Sequence, residues 1–199
     1  MVRKRVAVLI SGRGSNMAAL IEAAKDKDYP AEISLVASNV PDAGGLSIAK
    51  DAGIAAAVVD QKKFGKDRAA FERELQTVLE QNRIEIVCLA GFMRILTADF
   101  VGKWQGRMLN IHPALLPQFK GLDTHKRALE ARVKQHGATV HFVVPEMDSG
   151  PIVVQEAVDV HADDTEASLA ARVLEVEHRI YPWALKLLAG GAIRPPASM

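Results

Sequence analysis

The stretch VAVLISGRGSN, residues 6–16, decides the fold. Its first half is an apolar run rich in β-branched residues and predicts a strand over 6–10. Two glycines then break the run into a loop, and helical periodicity follows. Similar runs recur at 33–37, 56–59, 84–89 and 108–111. Helical segments separate them, most clearly 67–82, where Phe71, Leu75, Val78 and Leu79 share a face. Strands alternating with helices predict a mostly parallel sheet covered by helices. The last third breaks this rhythm, because the runs at 138–144 and 152–160 are separated only by PEMDSGP, too short for a crossover helix. An antiparallel extension is expected there. A closing helix is expected over 165–189, with Asp164 as its N-cap, a kink at Pro182 and Gly190-Gly191 as its stop. Residues 1–191 read as one domain and 192–199 as a disordered tail.

The composition narrows the partners. The 199 residues carry 25 Lys plus Arg against 24 Asp plus Glu, with no long block of either sign. Neither a nucleic-acid stripe nor a polybasic membrane anchor is expected. No apolar run approaches the roughly 20 residues that span a bilayer. The single cysteine, Cys88, forms no internal disulfide, and glycine comes too early in the chain for a secretory apolar region. A reducing cytoplasm and small-molecule substrates are expected.

SGRGSN, residues 11–16, is the first chemical signal. Glycines let backbone N–H groups approach an anion, and a helix N-terminus supplies unpaired donors and a positive dipole end. A dinucleotide site wants G-x-G-x-x-G and an acidic residue closing the second strand. Here Met17 replaces the third glycine, the second strand ends in Ser38-Asn39, and Asp42 lies beyond the strand end. A single phosphate monoester is therefore favoured over a dinucleotide, with a purely structural tight turn as the other reading. Ser15 and Asn16 add side-chain donors, and Asn16 alternatively caps the helix.

LNIHPALLPQFKG, residues 109–121, is the second signal. Period-two alternation puts Asn110 and His112 on one side of the fifth strand, near the carboxyl edge where open α/β sheets bind ligands. An uncharged amide donor beside an imidazole resembles an oxyanion hole with a proton source, and Pro113 and Pro117 stiffen the loop that frames it. His112 on its own reads equally well as a structural residue. Asp148, in the turn MDSGP, is the candidate third member, since a carboxylate beside an imidazole favours the charged ring; simple turn chemistry is its alternative. His112, His125, His141 and Cys88 match no zinc spacing, and neither a G-x-S-x-G elbow nor a Walker lysine is present. No metal is expected.

GRGSN (12–16), AGFMRIL (90–96), NIHPALLPQFKG (110–121), HGATVHFV (136–143), MDSGPIV (147–153) and EHRIYP (177–182) together resemble the glycinamide ribonucleotide formyltransferases, in collinear order over nearly the whole chain. The N-x-H-P-x-L-L-P and later D-x-G-P motifs are specific to folate-dependent formyltransferases. The resemblance implies a three-layer α/β fold and formyl transfer from 10-formyltetrahydrofolate, as co-substrate, to the amine of glycinamide ribonucleotide in de novo purine biosynthesis. It implies a phosphate site at Gly14, Ser15 and Asn16, with Glu177 on the rest of the nucleotide; a solvated helix face is the other reading of Glu177. It implies a folate site formed by Arg68, Met93, Arg94, Ile95, Leu96, Asn110, Val144, Glu146 and Asp148. It further implies that Asn110 and protonated His112 hold the oxyanion, while Asp148 keeps His112 charged and helps move protons. Arg68 in the first turn of a helix opposes the macrodipole, which favours a functional role for it.

Periodicity alone would place 93–96 in the core. Arg132 stands where the family has a glycine-type helix ending, which puts the end of that helix in question. A methionyl-tRNA formyltransferase would add a basic C-terminal domain and a formyltetrahydrofolate deformylase an N-terminal one. Neither is expected here, where the last helix ends near residue 189 and the net charge is +1. A non-catalytic phosphosugar-binding module would keep the GRGSN loop without needing Asn110, His112 and Asp148 together. Either a monomer or a homodimer fits the sequence.

Overall fold

A computed structural model describes residues 2–195. Among these residues seven strands form one sheet in the order β3-β2-β1-β4-β5-β6-β7: β1 Lys4–Ile10, β2 Ala31–Ser38, β3 Ala55–Val58, β4 Ile86–Leu89, β5 Met108–His112, β6 Gln135–Phe142 and β7 Ile152–Asp159. The first five strands pair in parallel, and β6 and β7 pair antiparallel, as the short 145–151 connection required. Helices α1 Ser15–Ala23, α2 Gly45–Asp51, α3 Arg68–Gln81, α4 Ala98–Lys103, α5 Thr124–Glu130 and α6 Glu166–Ala189 cover it.

The central strands are buried on both faces, and their period of two sorts side chains into two cores. Val6, Val8 and Ile10 of β1 join Met17 and Leu20 of α1 and Leu169, Val173, Val176 and Ile180 of α6 on one side. Ala7 and Leu9 join Phe71, Leu75 and Leu79 of α3 and Phe100 and Val101 of α4 on the other. The result is three layers, with the carboxyl ends of β1, β2, β4 and β5 on one edge.

Local signals set the helix ends. Asp67 caps α3 by accepting from the Ala70 N–H at 2.9 Å. The N-cap of α6 is Thr165, not Asp164: Thr165 and Ser168 exchange hydrogen bonds in a capping box, while Asp164 is held by Arg172 through two bonds of 2.9 Å. The α6 helix continues through Pro182, whose carbonyl accepts from the Tyr29 hydroxyl at 2.7 Å. Arg132 ends α5 in the left-handed region, at φ 52. The Arg132 N–H bonds the Leu129 carbonyl and the Val133 N–H the Ala128 carbonyl, a Schellman closure without the usual glycine. Of the tail expected from 192, the Ala192 N–H bonds the Leu187 carbonyl at 2.9 Å; residues 196–199 lie outside the described residues.

Candidate active site

Two residues of β5 and two of β6 meet across the antiparallel pair. The register sets Asn110 opposite His141 and His112 opposite Thr139. The His141 Nδ1–H donates to the Phe142 carbonyl at 2.8 Å, which leaves a lone pair on Nε2 to accept from Asn110 Nδ2 at 3.1 Å. Burial pushes the His141 imidazole below its ordinary value and favours this neutral form, against the milder opposing pull of Asp148. One hydrogen of the Asn110 amide is used in this contact, and a second remains. The His112 ring, 5% exposed, donates from Nε2 to the Phe119 carbonyl at 3.0 Å and turns Nδ1 toward Asp148 Oδ2 at 3.5 Å. Asp148 Oδ1 lies 3.8 Å from His141 Nε2, and its Oδ2 accepts from the Gly121 N–H at 2.8 Å. Asn110, His112 and Asp148 therefore converge, and His141 completes the group.

Asp148 reaches this place because its turn is tight. Its φ of 51 lies in the left-handed region that Asp tolerates better than most residues. Two residues on, a Cβ at Gly150 would lie 1.7 Å from the Phe142 carbonyl oxygen, so only glycine lets the turn press against β6. The loop after His112 is held as firmly. The Thr139 hydroxyl donates to the Ala114 carbonyl at 2.7 Å and accepts from the Leu116 N–H at 3.1 Å and from Gln155 Nε2 at 2.8 Å. Gln155 also donates to the Leu116 carbonyl at 3.0 Å.

The glycine loop turns through Gly14, at φ 77, where a Cβ would lie 2.9 Å from the Cα of Gly45. Gly14 is the N-cap of α1 and supplies no side-chain cap, so Asn16 does not serve as one. Instead Asn16 Nδ2 donates to Glu177 Oε2 at 2.8 Å, and Asn16 Oδ1 is buried without a partner among the described residues. Glu177 is 7% exposed, so it is no solvated helix face. Burial holds its carboxyl above the usual range, partly offset by the Asn16 bond.

Residues 93–96 divide. Met93 and Ile95 are 67% and 60% exposed, whereas Leu96 packs in the core beside α4. Arg94 folds inward, its guanidinium 4.3 Å from the Phe71 ring centroid. The segment ends at Thr97, the N-cap of α4, which is gripped by the buried Glu72 carboxylate through its N–H at 2.6 Å and through its hydroxyl. Val144 is half-buried, and Glu146 is exposed with its carboxylate 4.0 Å from Lys120 Nζ. Arg68 is the exposed first residue of α3, on the sheet edge where the strands end. Among the described residues no group of three or more His, Cys, Asp or Glu is arranged to hold a metal, and no helix is long and apolar enough to cross a membrane.

Sequence reasoning missed the parts played by Thr139 and His141. The signal was present: two polar residues at alternate positions of a buried strand, in ATVHF, mark a face that does something other than pack.

A family described as formyl transferase matches residues 4–185. A Gallus gallus protein named trifunctional purine biosynthetic protein adenosine-3 is 52% identical over 190 residues, covering 96% of this chain and 19% of its own. The chain thus spans about a fifth of that relative. The Escherichia coli phosphoribosylglycinamide formyltransferase is 44% identical over 95% of this chain and 89% of its own. A crystal structure of phosphoribosylglycinamide formyltransferase from Brucella melitensis superposes with a TM-score of 0.90 at 49% identity, covering 98% of this chain and all of that one.

Proposed function

Because this chain belongs to the formyl transferase family, we propose that it moves the formyl group of 10-formyltetrahydrofolate to the amine of glycinamide ribonucleotide. The observation that carries this reading is the meeting of Asp148 with His112, 3.5 Å apart, beside an Asn110 amide oriented by His141.

The amine, in its neutral form, attacks the formyl carbon, and negative charge grows on the formyl oxygen. The free hydrogen of Asn110 Nδ2 and a proton on His112 receive that charge. Asp148 holds the imidazolium and takes part in moving the amine proton to the departing folate nitrogen as the tetrahedral intermediate collapses. The His112 Nε2–H faces Phe119, so the ring reaches the oxyanion only when the 112–121 loop gives up that contact on substrate binding. Gly14, Ser15 and Asn16 receive the nucleotide phosphate at the uncapped start of α1, and Glu177, joined to Asn16, faces the glycinamide ribose portion. The exposed side chains of Met93 and Ile95, with the backbone of 93–96, Val144 and Glu146, form the folate side, and Arg68 supplies a cation for the folate's carboxylates.

The test is formyl transfer from 10-formyltetrahydrofolate to glycinamide ribonucleotide, with water and tRNA as control acceptors. Removing one preorganised oxyanion donor costs about 3 kcal/mol. Asn110→Ala and His112→Ala are therefore expected to fold and to lose at least roughly a hundredfold in turnover. Near-normal turnover in either variant refutes its role, and preferential transfer to water or tRNA refutes the substrate.

A further inference from the structure

The residue that closes β2, where a dinucleotide fold would carry an acidic group, is put to a different use here. Asn39 is 1% exposed and sits between the glycine loop and the 91–97 segment. The Met93 N–H donates to Ser11 Oγ at 2.7 Å, and the Ser11 hydroxyl donates to Asn39 Oδ1 at 2.6 Å. Asn39 Nδ2 donates to Gln61 Oε1 at 2.9 Å, and Arg94 Nη1 reaches the same oxygen at 3.3 Å. The main chain runs alongside: the Ser11 N–H bonds the Gly91 carbonyl, and the Gln61 N–H bonds the Asn39 carbonyl, each at 3.1 Å.

Every direction in this chain is forced. Arg94 can only donate, so the Gln61 atom it shares with Asn39 is the oxygen; the Asn39 nitrogen must then face Gln61, which turns Asn39 Oδ1 to Ser11, and the one hydroxyl proton goes there while the Met93 N–H takes a lone pair. Reversing any one amide sets two acceptors or two donors against each other. Arg94 is in this way held inward, which leaves Met93 and Ile95 presented to solvent.

We propose that Asn39 is a positioning residue that ties the 11–16 loop to the 91–97 segment, so that anchoring a phosphate at the first favours holding a folate at the second. This rests on the functional reading above, which assigns the phosphate to one segment and the folate to the other. Such coupling is reciprocal, and it needs no contact between Asn39 and either ligand: a ligand that orders one segment also orders the other through the shared hydrogen bonds and so lowers the cost of the second binding event.

The test measures tetrahydrofolate binding by calorimetry on the full chain, with and without saturating ribose 5-phosphate. Wild type is expected to bind the folate at least roughly fivefold more tightly when the sugar phosphate is present. In Asn39→Leu, close in shape but unable to hydrogen-bond, that ratio falls to near one. Ser11→Ala cuts the same link at a half-buried position and decides the matter if Asn39→Leu fails to fold. A residue that only stabilises the fold would weaken both affinities and leave the ratio alone. Wild type binding both ligands without coupling, or a folded variant keeping the wild-type ratio, overturns the inference and leaves the functional reading standing. Wild type binding neither ligand overturns both.

Discussion

Replacing Thr139 by Val removes one hydroxyl and preserves the side-chain shape, which makes it a clean probe of how the loop after His112 is held. Thr139 and Ala114 are fully buried and Leu116 is 5% exposed. Without the hydroxyl, the Ala114 carbonyl loses its donor and the Leu116 N–H its acceptor, whereas Gln155 Nε2 keeps the Leu116 carbonyl. Each stranded buried group costs about 1–3 kcal/mol, so Thr139→Val should destabilise by about 2–6 kcal/mol. For a chain of this size, 3 kcal/mol lowers the melting temperature by roughly 6–12 °C. Thr139→Ser keeps the hydroxyl and loses one methyl, at about 1 kcal/mol. Thermal and urea unfolding followed by circular dichroism would measure both variants. Turnover should follow the same order, because this loop also carries the Gly121 N–H that holds the Asp148 carboxylate beside His112. The reasoning fails if Thr139→Val lies within about 0.5 kcal/mol of wild type, or if Thr139→Ser loses as much as Thr139→Val, since packing rather than hydrogen bonding would then be at stake.

Arg132→Gly should stabilise the protein by about 1 kcal/mol, because φ 52 is costly for a residue with a Cβ. Arg132→Ala should gain nothing in the same urea titration, and equal gains would trace the effect to the side chain instead. A folded carboxyl whose pKa lies above its unfolded value contributes stability below that value and loses it as pH rises through the folded one. For Glu177 the ordinary value is 4.5, so Glu177→Gln should match wild type near about pH 4 and exceed it in unfolding midpoint at about pH 8. A less stable variant at the higher pH would contradict this. The same variant should bind the amine substrate more weakly. His141→Leu removes the acceptor that orients the Asn110 amide, and turnover is expected to fall by about tenfold or more, or ~1.4 kcal/mol in the barrier; unchanged turnover would detach His141 from the site.

The parallel half of the sheet was legible because strands buried on both faces read as unbroken apolar runs, and its antiparallel end because seven residues cannot hold a crossover helix. The start of α6 was misplaced by one residue because Asp164 and Thr165 are both good caps. Ser168, one turn on, settles the choice by answering Thr165, while Arg172 claims Asp164. The sequence left Glu177 open to a solvated helix face, although its place four residues after Val173 and three before Ile180, within the apolar stripe, carried the signal of its burial. Arg94 was less accessible: nothing local reveals that the ring of Phe71 and the amide of Gln61 wait behind it. The convergence on Asp148 needed the turn at Gly150 pressed against β6, a contact set by tertiary packing and not by spacing.

The two central histidines are assigned opposite duties by where their second nitrogens point. Each ring gives one N–H to a backbone carbonyl, His112 to Phe119 and His141 to Phe142. What remains on His141 faces an amide donor, so a lone pair is needed there and the ring stays neutral. What remains on His112 faces a carboxylate, where a proton on Nδ1 is what allows a hydrogen bond. The amide of Asn110 is thereby prevented from flipping, because its oxygen would then meet the His141 lone pair. Strand register enforces this division: a slip of one residue in β6 would set Val140 or Phe142 opposite Asn110 and turn the imidazole to the other face of the sheet. The pairing of β6 with β7 shifts between Val140 and His141, at the edge of the site. An irregularity at that point frees His141 to follow β5 rather than β7, and it is the β5 register that the chemistry requires.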